Sequence, residues 1–313
     1  MHLLFDGTNL LFGVLGLAMA TAPASASLLS RMGLQPVNLN GVWGMLSLTF
    51  RDAIRTKWLI VFTVIFFLIA INIPVLLLSI YSGQSPAALE ATYGFGTSIS
   101  ESFPLIALLS LPFGAVAIVE DRESGVLQYL LSNPITKAEF FAGRSLGLLL
   151  ATTTVIVLSF GGAAVASYPS DVGQSYLITV SMFVVMLLNA VMLALGLIVS
   201  EVTKRKVTAM GIGIFFWFYF TTVSGLTTLV NVVNLTFGAV ASCLVVLANP
   251  IETSRLADVL AAGLGQAQYG PTGYVASYVL GANFFVVTLC TLLIWFAILT
   301  GLGFFVFMHQ DAA

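Results

Sequence analysis

Residues 120–136 read EDRESGVLQYLLSNPIT, and they interrupt two apolar runs. Glu120, Asp121, Arg122 and Glu123 arrive in succession in a chain of which only 8% is charged. A soluble domain carries about 25% charged residues, whereas this chain of 313 residues is 59% hydrophobic. Apolar runs of span length must satisfy their backbone groups internally once in lipid, which makes them helices. The stretch therefore reads as a link between two membrane helices, and the fold class is all-α and polytopic.

Working outward from it, six apolar segments read as spans: 58–80, 102–119, 145–167, 176–200, 207–230 and 278–307. The second carries Pro104 and Pro112, which neighbouring helices accommodate. Nine of the 11 Lys and Arg residues fall in three places. Arg51, Arg55 and Lys57 precede the first span, Arg122, Lys137 and Arg144 follow the second, and Lys204, Arg205 and Lys206 follow the fourth. Six spans put all three places on one side, and the positive-inside rule makes that side cytoplasmic. Segments 82–101 and 168–175 hold no Lys or Arg; Arg255 is the exception. The expectation is a multi-pass protein of the plasma (inner) membrane with a cytoplasmic C-terminus.

The N-terminal segment 9–29 is apolar, and APASAS at 22–27 resembles a small-residue cleavage site. Cleavage there would leave the cations at 51, 55 and 57 on the wrong side, so an uncleaved extension is expected. The domain order is then an extension over 1–40, an amphipathic connecting helix over 41–57, a transmembrane domain over 58–307 and a cytoplasmic tail over 308–313. Between the last two spans, the run 235–247 is too short to cross and reads as re-entrant or interfacial. After it, Asn249, Pro250 and Glu252 form a helix start in an outer segment. Glu252, Arg255 and Asp258 follow at i, i+3 spacing for ion pairing on one face.

Several chemistries are missing. Gly143-Arg144-Ser145-Leu146-Gly147 matches G-x-S-x-G, but the approach is helical and the histidines, His2 and His309, lie at the chain ends. A P-loop is absent, so ATP is not handled by that route. No ionisable residue sits within the six segments as drawn, which argues against an ion-driven carrier. Cys243 and Cys290 lack metal-ligand spacing, and Met182 and Met186 read as packing. A net charge of −2 with no basic tract excludes nucleic acid as a partner.

The inner side carries more pattern. Over 41–57, Trp43, Leu46, Phe50 and Ile54 recur at helical spacing opposite the charges, as in a helix lying in the membrane interface. Val126, Leu127, Leu130 and Leu131 form one apolar face that closes at Ser132-Asn133-Pro134. Thr136 and Glu139 then form a capping box, flanked by Ile135 and Phe140 as a hydrophobic staple. The inner link is a helix–turn–helix rather than a tether.

EDRESGVLQYLLSNPITKAEFFAGR, placed between the second and third spans, resembles the consensus of ABC-2 type ABC transporter permeases. The shared features are an acidic cluster, Glu-x-Gly, a leucine-rich helix, a Ser-x-Pro turn and a Glu…Gly-Arg segment. Residues 41–57 resemble that family's connecting helix, and the likeness covers about residues 41–307. NPIETSRL is most similar to permeases of the nitrous oxide reductase maturation system. The resemblance implies a permease without its own ATPase site, working as a dimer, a homodimer above all, with ATP bound by separate subunits and no cofactor on this chain. It implies a coupling helix over 121–132. Glu120, Asp121, Arg122, Glu123, Val126, Leu127, Leu130, Arg51 and Arg55 are the expected contacts to the ATPase. In the family the fifth span faces the pathway or the dimer partner. Here that span carries FFWFYF at 215–220, so Phe216, Trp217, Tyr219 and Phe220 are the expected gate or seam. Two other readings remain open: a membrane scaffold that couples an ATPase to assembly without transport, and a passive carrier.

Overall fold

In the computed structural model, residues 38–80, 99, 102–167, 172–232, 239–261 and 284–310 are described. Among them there is no strand, as a chain this apolar requires. Chain order runs α1 (Leu39–Arg55), α2 (Lys57–Ile80), α3 (Phe103–Glu123), α4 (Val126–Leu131), α5 (Lys137–Ile156), α6 (Gly162–Ser167), α7 (Val172–Val202), α8 (Lys206–Val232), α9 (Ala239–Ala248), α10 (Pro250–Ala261) and α11 (Phe284–His309). Five stretches are long and apolar enough to cross a membrane alone, within α3, α5–α6, α7, α8 and α11. A sixth crossing is reached when α1 and α2, bent by 68° at Thr56, are counted together. The N-terminal extension and the segments 82–98 lie outside the described residues.

The elbow at Thr56 has a local cause. Its backbone is extended (φ −72°, ψ 126°), and its hydroxyl donates to the Ala53 carbonyl at 2.6 Å. That bond caps α1 and frees the chain to restart as α2.

α3 and α7 form the central pair. A Cβ on Gly114 would stand 2.5 Å from the Leu193 carbonyl, and one on Gly196 would stand 2.3 Å from the Leu111 carbonyl. Only glycine on both helices lets the backbones meet this closely. Polar side chains lock the same seam: Ser200 Oγ accepts from the Ile118 and Val119 amides at 2.8 Å, and Ser110 Oγ donates to Asn189 Oδ1 at 2.6 Å. α5 runs through a π-helical turn, Val157–Gly161, into α6. There Ser159 Oγ lies 2.7 Å from the Val155 carbonyl and 3.0 Å from the Thr63 carbonyl of α2, pinning the irregular turn to the first span.

The helix start at Asn249 is as the sequence indicates, with Asn249 Oδ1 accepting from the Ile251 amide at 3.0 Å. α10 is buried among α3, α7, α8 and α11. Glu252 pairs with Arg255 at 3.6 Å and also accepts from Ser224 of α8, while Asp258 accepts from Ser181 of α7. These serines lie on spans distant in sequence, so spacing within α10 cannot show them. α9 and α10 are separated by Asn249 alone and pack against each other.

Candidate coupling site

The ends of α3, α5, α7, α8 and α11 converge on the charged stretch. α3 extends through Glu123, past the expected end of its span at 119, so all four charges are helical. The helix stops because Gly125 adopts φ +77°, a left-handed geometry that side chains with a Cβ resist. α4 then restarts as six residues, so the coupling helix expected over 121–132 is a broken element.

Each of the four charges grips a partner, Glu120 and Glu123 sharing Lys206. Glu120 pairs with Lys206 Nζ at 2.5 Å, and Glu123 Oε2 accepts from the Lys206 amide at 2.8 Å. A carboxylate on the first turn of α8 complements that helix's dipole. Asp121 pairs with Arg144 of α5 at 2.9 Å, and both side chains are largely buried. Arg144 also donates to the Ala117 carbonyl at 3.1 Å and approaches Thr49 Oγ1 of α1 at 3.5 Å. Arg122 reaches the carbonyls of Glu201 and Thr203 at 3.0 and 3.2 Å, capping the end of α7, and donates to Gln310 Oε1 at 2.9 Å. Lys137 Nζ holds the Gln310 carbonyl at 2.7 Å, so the chain past 308 begins as a clamped helix end rather than a free tail.

α1 is seated on α5 by the same two glycines that mimic a nucleophile motif. A Cβ on Gly143 would meet Met45 Cβ at 2.4 Å, and one on Gly147 would meet Thr49 Cβ at 2.6 Å. The buried face of α1 is therefore Met45, Thr49 and Ala53. On the face expected to lie in the membrane interface, Trp43 and Ile54 are exposed, and Phe50 is half-buried against the core. The capping box of Thr136 and Glu139 is formed, and Glu139 additionally accepts from the Asn38 amide, tying the start of α1 to the start of α5.

Among the residues expected to meet an ATPase, the structure separates two groups. Leu127 is 2% exposed and plugs a cluster with Ile118, Phe140, Phe141 and Phe307, and Leu130 packs against it. Burial removes Leu127 from any direct docking surface. Val126, Gln128 and Tyr129, the last 70% exposed, form the open side of α4. Asp121 is buried and Arg122 half-buried, both turned inward, whereas Arg51, Arg55, Glu120 and Glu123 remain exposed.

The aromatic block also divides. Phe216, Trp217 and Phe220 turn into the bundle, and Trp217 Nε1 donates to the Pro104 carbonyl at 2.7 Å. That bond satisfies an indole at mid-span, which is why it need not sit at an interface. The Phe220 carbonyl accepts from Asn249 Nδ2 at 2.9 Å. Phe215, Phe218 and Tyr219 face outward.

Sequence reasoning missed Glu201. Because α7 continues to Val202, this carboxylate belongs to a span, is 1% exposed, and finds no hydrogen-bond partner for either oxygen among the described residues. Its Oε1 faces Gly303 of α11. An acidic residue directly after the apolar run that ends at Ser200 was the available signal.

The profile of a family described as ABC-2 family transporter protein matches residues 45–312. A protein of Pseudomonas aeruginosa named "Probable ABC transporter permease protein NosY" is 29% identical over 227 residues, covering 70% of this chain and 81% of that protein. One of the same name from Stutzerimonas stutzeri is 29% identical over 202 residues, covering 61% and 70%.

Proposed function

Because the chain belongs to the ABC-2 family of transporters and is a transmembrane permease subunit, we propose that it works as an ATP-driven exporter in a dimer of two copies, seated on separately encoded ATP-binding subunits. The observation that carries this reading is α4: six residues anchored by buried Leu127, presenting Val126, Gln128 and Tyr129 outward. An element so short is held by its anchor, so a push on its outer face passes into the cluster beneath it. The four charges just before it distribute that push: Glu120 and Glu123 to α8, Asp121 to α5 and α1, Arg122 to α7 and the end of α11.

In this mechanism, ATP-driven closure of the ATPases moves α4, and the inner helix ends rock together. Ion pairs suit such a joint because they hold direction yet re-form after small displacements. Glu120 and Glu123 act here as struts to α8 rather than as the docking contacts themselves. Phe215, Phe218 and Tyr219, outward on α8, supply the seam to the second copy.

The test is co-purification of the full chain with its ATPase subunit, comparing wild type with Tyr129→Ala. At 70% exposure Tyr129 contributes little to the fold. Its loss should leave membrane insertion and monodispersity unchanged while lowering recovered ATPase about tenfold or more, as for an aromatic interface anchor. Unchanged recovery refutes the docking role of α4. ATP-dependent transport in vesicles then separates an exporter from a scaffold that spends ATP on assembly alone.

A further inference from the structure

The connecting helix α1 has one face on α5 and another that none of the described residues covers. Met45, Thr49 and Ala53 are buried against the glycine seat. Beside them, Leu39, Trp43 and Ile54 form an exposed apolar stripe, with Trp43 62% exposed. Next to that stripe Arg51 and Arg55 follow one another at i, i+4, and Lys57 and Trp58, the latter 65% exposed, come directly after the elbow. Arg51, Arg55 and Lys57 make no ion pair or side-chain hydrogen bond among the described residues. Asp52 is the one acidic residue of the helix.

Three features fix the depth and chemistry of this face. First, α1 is bent by 68° from α2, so with α2 crossing along the membrane normal α1 runs closer to the membrane plane than to that normal. Second, two exposed tryptophans on either side of the elbow are suited to the headgroup level, where an amphipathic ring meets both apolar and polar surroundings. Third, three cations against one anion, beside an apolar stripe, complement a negatively charged lipid surface. Arg55 also gains from the negative end of its own helix dipole, but Arg51 is a turn away and Lys57 begins the next helix. The dipole does not account for them.

We propose that the elbow of α1 and α2 is a binding site for anionic phospholipid, in which Arg51, Arg55 and Lys57 hold the headgroup phosphate while Trp43 and Trp58 anchor at the headgroup level. This goes beyond the permease function. It also reassigns Arg51 and Arg55 from the ATPase, to which the family resemblance would send them, to the lipid. The consequence is a permease whose connecting helix is seated by protein on one side and by lipid charge on the other.

The full chain reconstituted in nanodiscs of phosphatidylcholine provides the test. Acyl-brominated phosphatidylglycerol or acyl-brominated phosphatidylcholine is titrated in, and tryptophan quenching is read as the difference between wild type and Trp43→Phe/Trp58→Phe. Wild type should be half-quenched at a several-fold lower mole fraction of the anionic lipid, and added salt should reduce the preference. A single surface cation is worth up to roughly fivefold, so removing one should erase most of that preference, and Arg51→Gln/Arg55→Gln/Lys57→Gln should abolish it. Arg51→Lys/Arg55→Lys should retain it, which separates lost charge from lost fold. Lys204→Gln/Arg205→Gln, exposed cations on another loop, should also retain it. Equal quenching by both lipids in wild type overturns the proposal, as does a preference that survives the triple substitution. If wild type shows no lipid preference and the triple substitution instead lowers ATPase recovery, the face belongs to a protein partner and the proposal is wrong.

Discussion

Replacing Gly143 by alanine adds a single carbon at the seat of the connecting helix, and the structure sets its effect. The new Cβ would lie 2.4 Å from Met45 Cβ and 2.8 Å from the Val42 carbonyl. Carbon pairs are comfortable at about 3.5–4.0 Å, so α1 has to retreat by about an ångström. The carbonyl is backbone and cannot rotate away. Overpacking of this kind costs roughly 1–3 kcal/mol, against a helix-propensity gain of about 0.8–1 kcal/mol for Gly→Ala. The balance is a net loss of about 1 kcal/mol. Gly44 supplies the control, because a Cβ there meets nothing within 4 Å. Gly44→Ala should gain roughly 0.5–1 kcal/mol. Heating the full chain in detergent for fixed times and measuring the remaining monodisperse fraction compares the two, since a polytopic protein unfolds irreversibly and its loss is a rate. The midpoints should move a few degrees in opposite directions. Gly143→Ala melting at or above wild type would refute the seat, and with it the reading of Gly143 and Gly147 as packing residues.

Two further predictions concern buried charge. Arg144→Gln leaves Asp121 without its partner and should destabilise by about 3–5 kcal/mol, as breaking one side of a largely buried pair does. Asp121→Asn combined with it should recover much of the loss in a double-mutant cycle read by the same heating assay, and strict additivity would show that the pair is not coupled. Glu201→Gln should hold or raise the midpoint, because neither carboxylate oxygen has a hydrogen-bond partner to lose among the described residues. A drop of several degrees would mean that an ionised Glu201 carries an attraction, to Arg122 above all, that its geometry does not display.

Much of this protein is written in short-range pattern. Apolar run lengths give the helices, the Lys and Arg distribution gives a sidedness, and Thr136 with Glu139 marks a helix start that the structure bears out. The break in the coupling element is also legible afterwards, since Gly125 is where the left-handed turn occurs. The expected coupling helix nevertheless runs over that glycine, because a leucine-rich pattern on both sides masks a change of direction. The face of α1 was legible only in part. Trp43 and Ile54 satisfy helical spacing as well as Met45 and Thr49 do. What chooses between them is the pair of glycines at 143 and 147, about a hundred residues later, where only a small-residue groove admits a helix so closely. Span ends were drawn short for a different reason. Charged residues lower a hydropathy window, yet Asp121, Glu139 and Glu201 are helical and buried, Asp121 against Arg144 and Glu139 against the Asn38 amide.

The sequence by itself determined that this chain crosses a membrane as helices and that a built element joins α3 to α5. These follow from transfer energies and local backbone chemistry, which act over a few residues. Only the tertiary structure decided what the charges of EDRE hold. Arg144, the stretch from the end of α7 to Lys206, and Gln310 come from three separate parts of the chain, and no spacing rule links them to Glu120, Asp121, Arg122 or Glu123. Pairing between distant ends depends on which helices pack side by side, and Gly114, Gly196, Gly143 and Gly147 are where that packing is set.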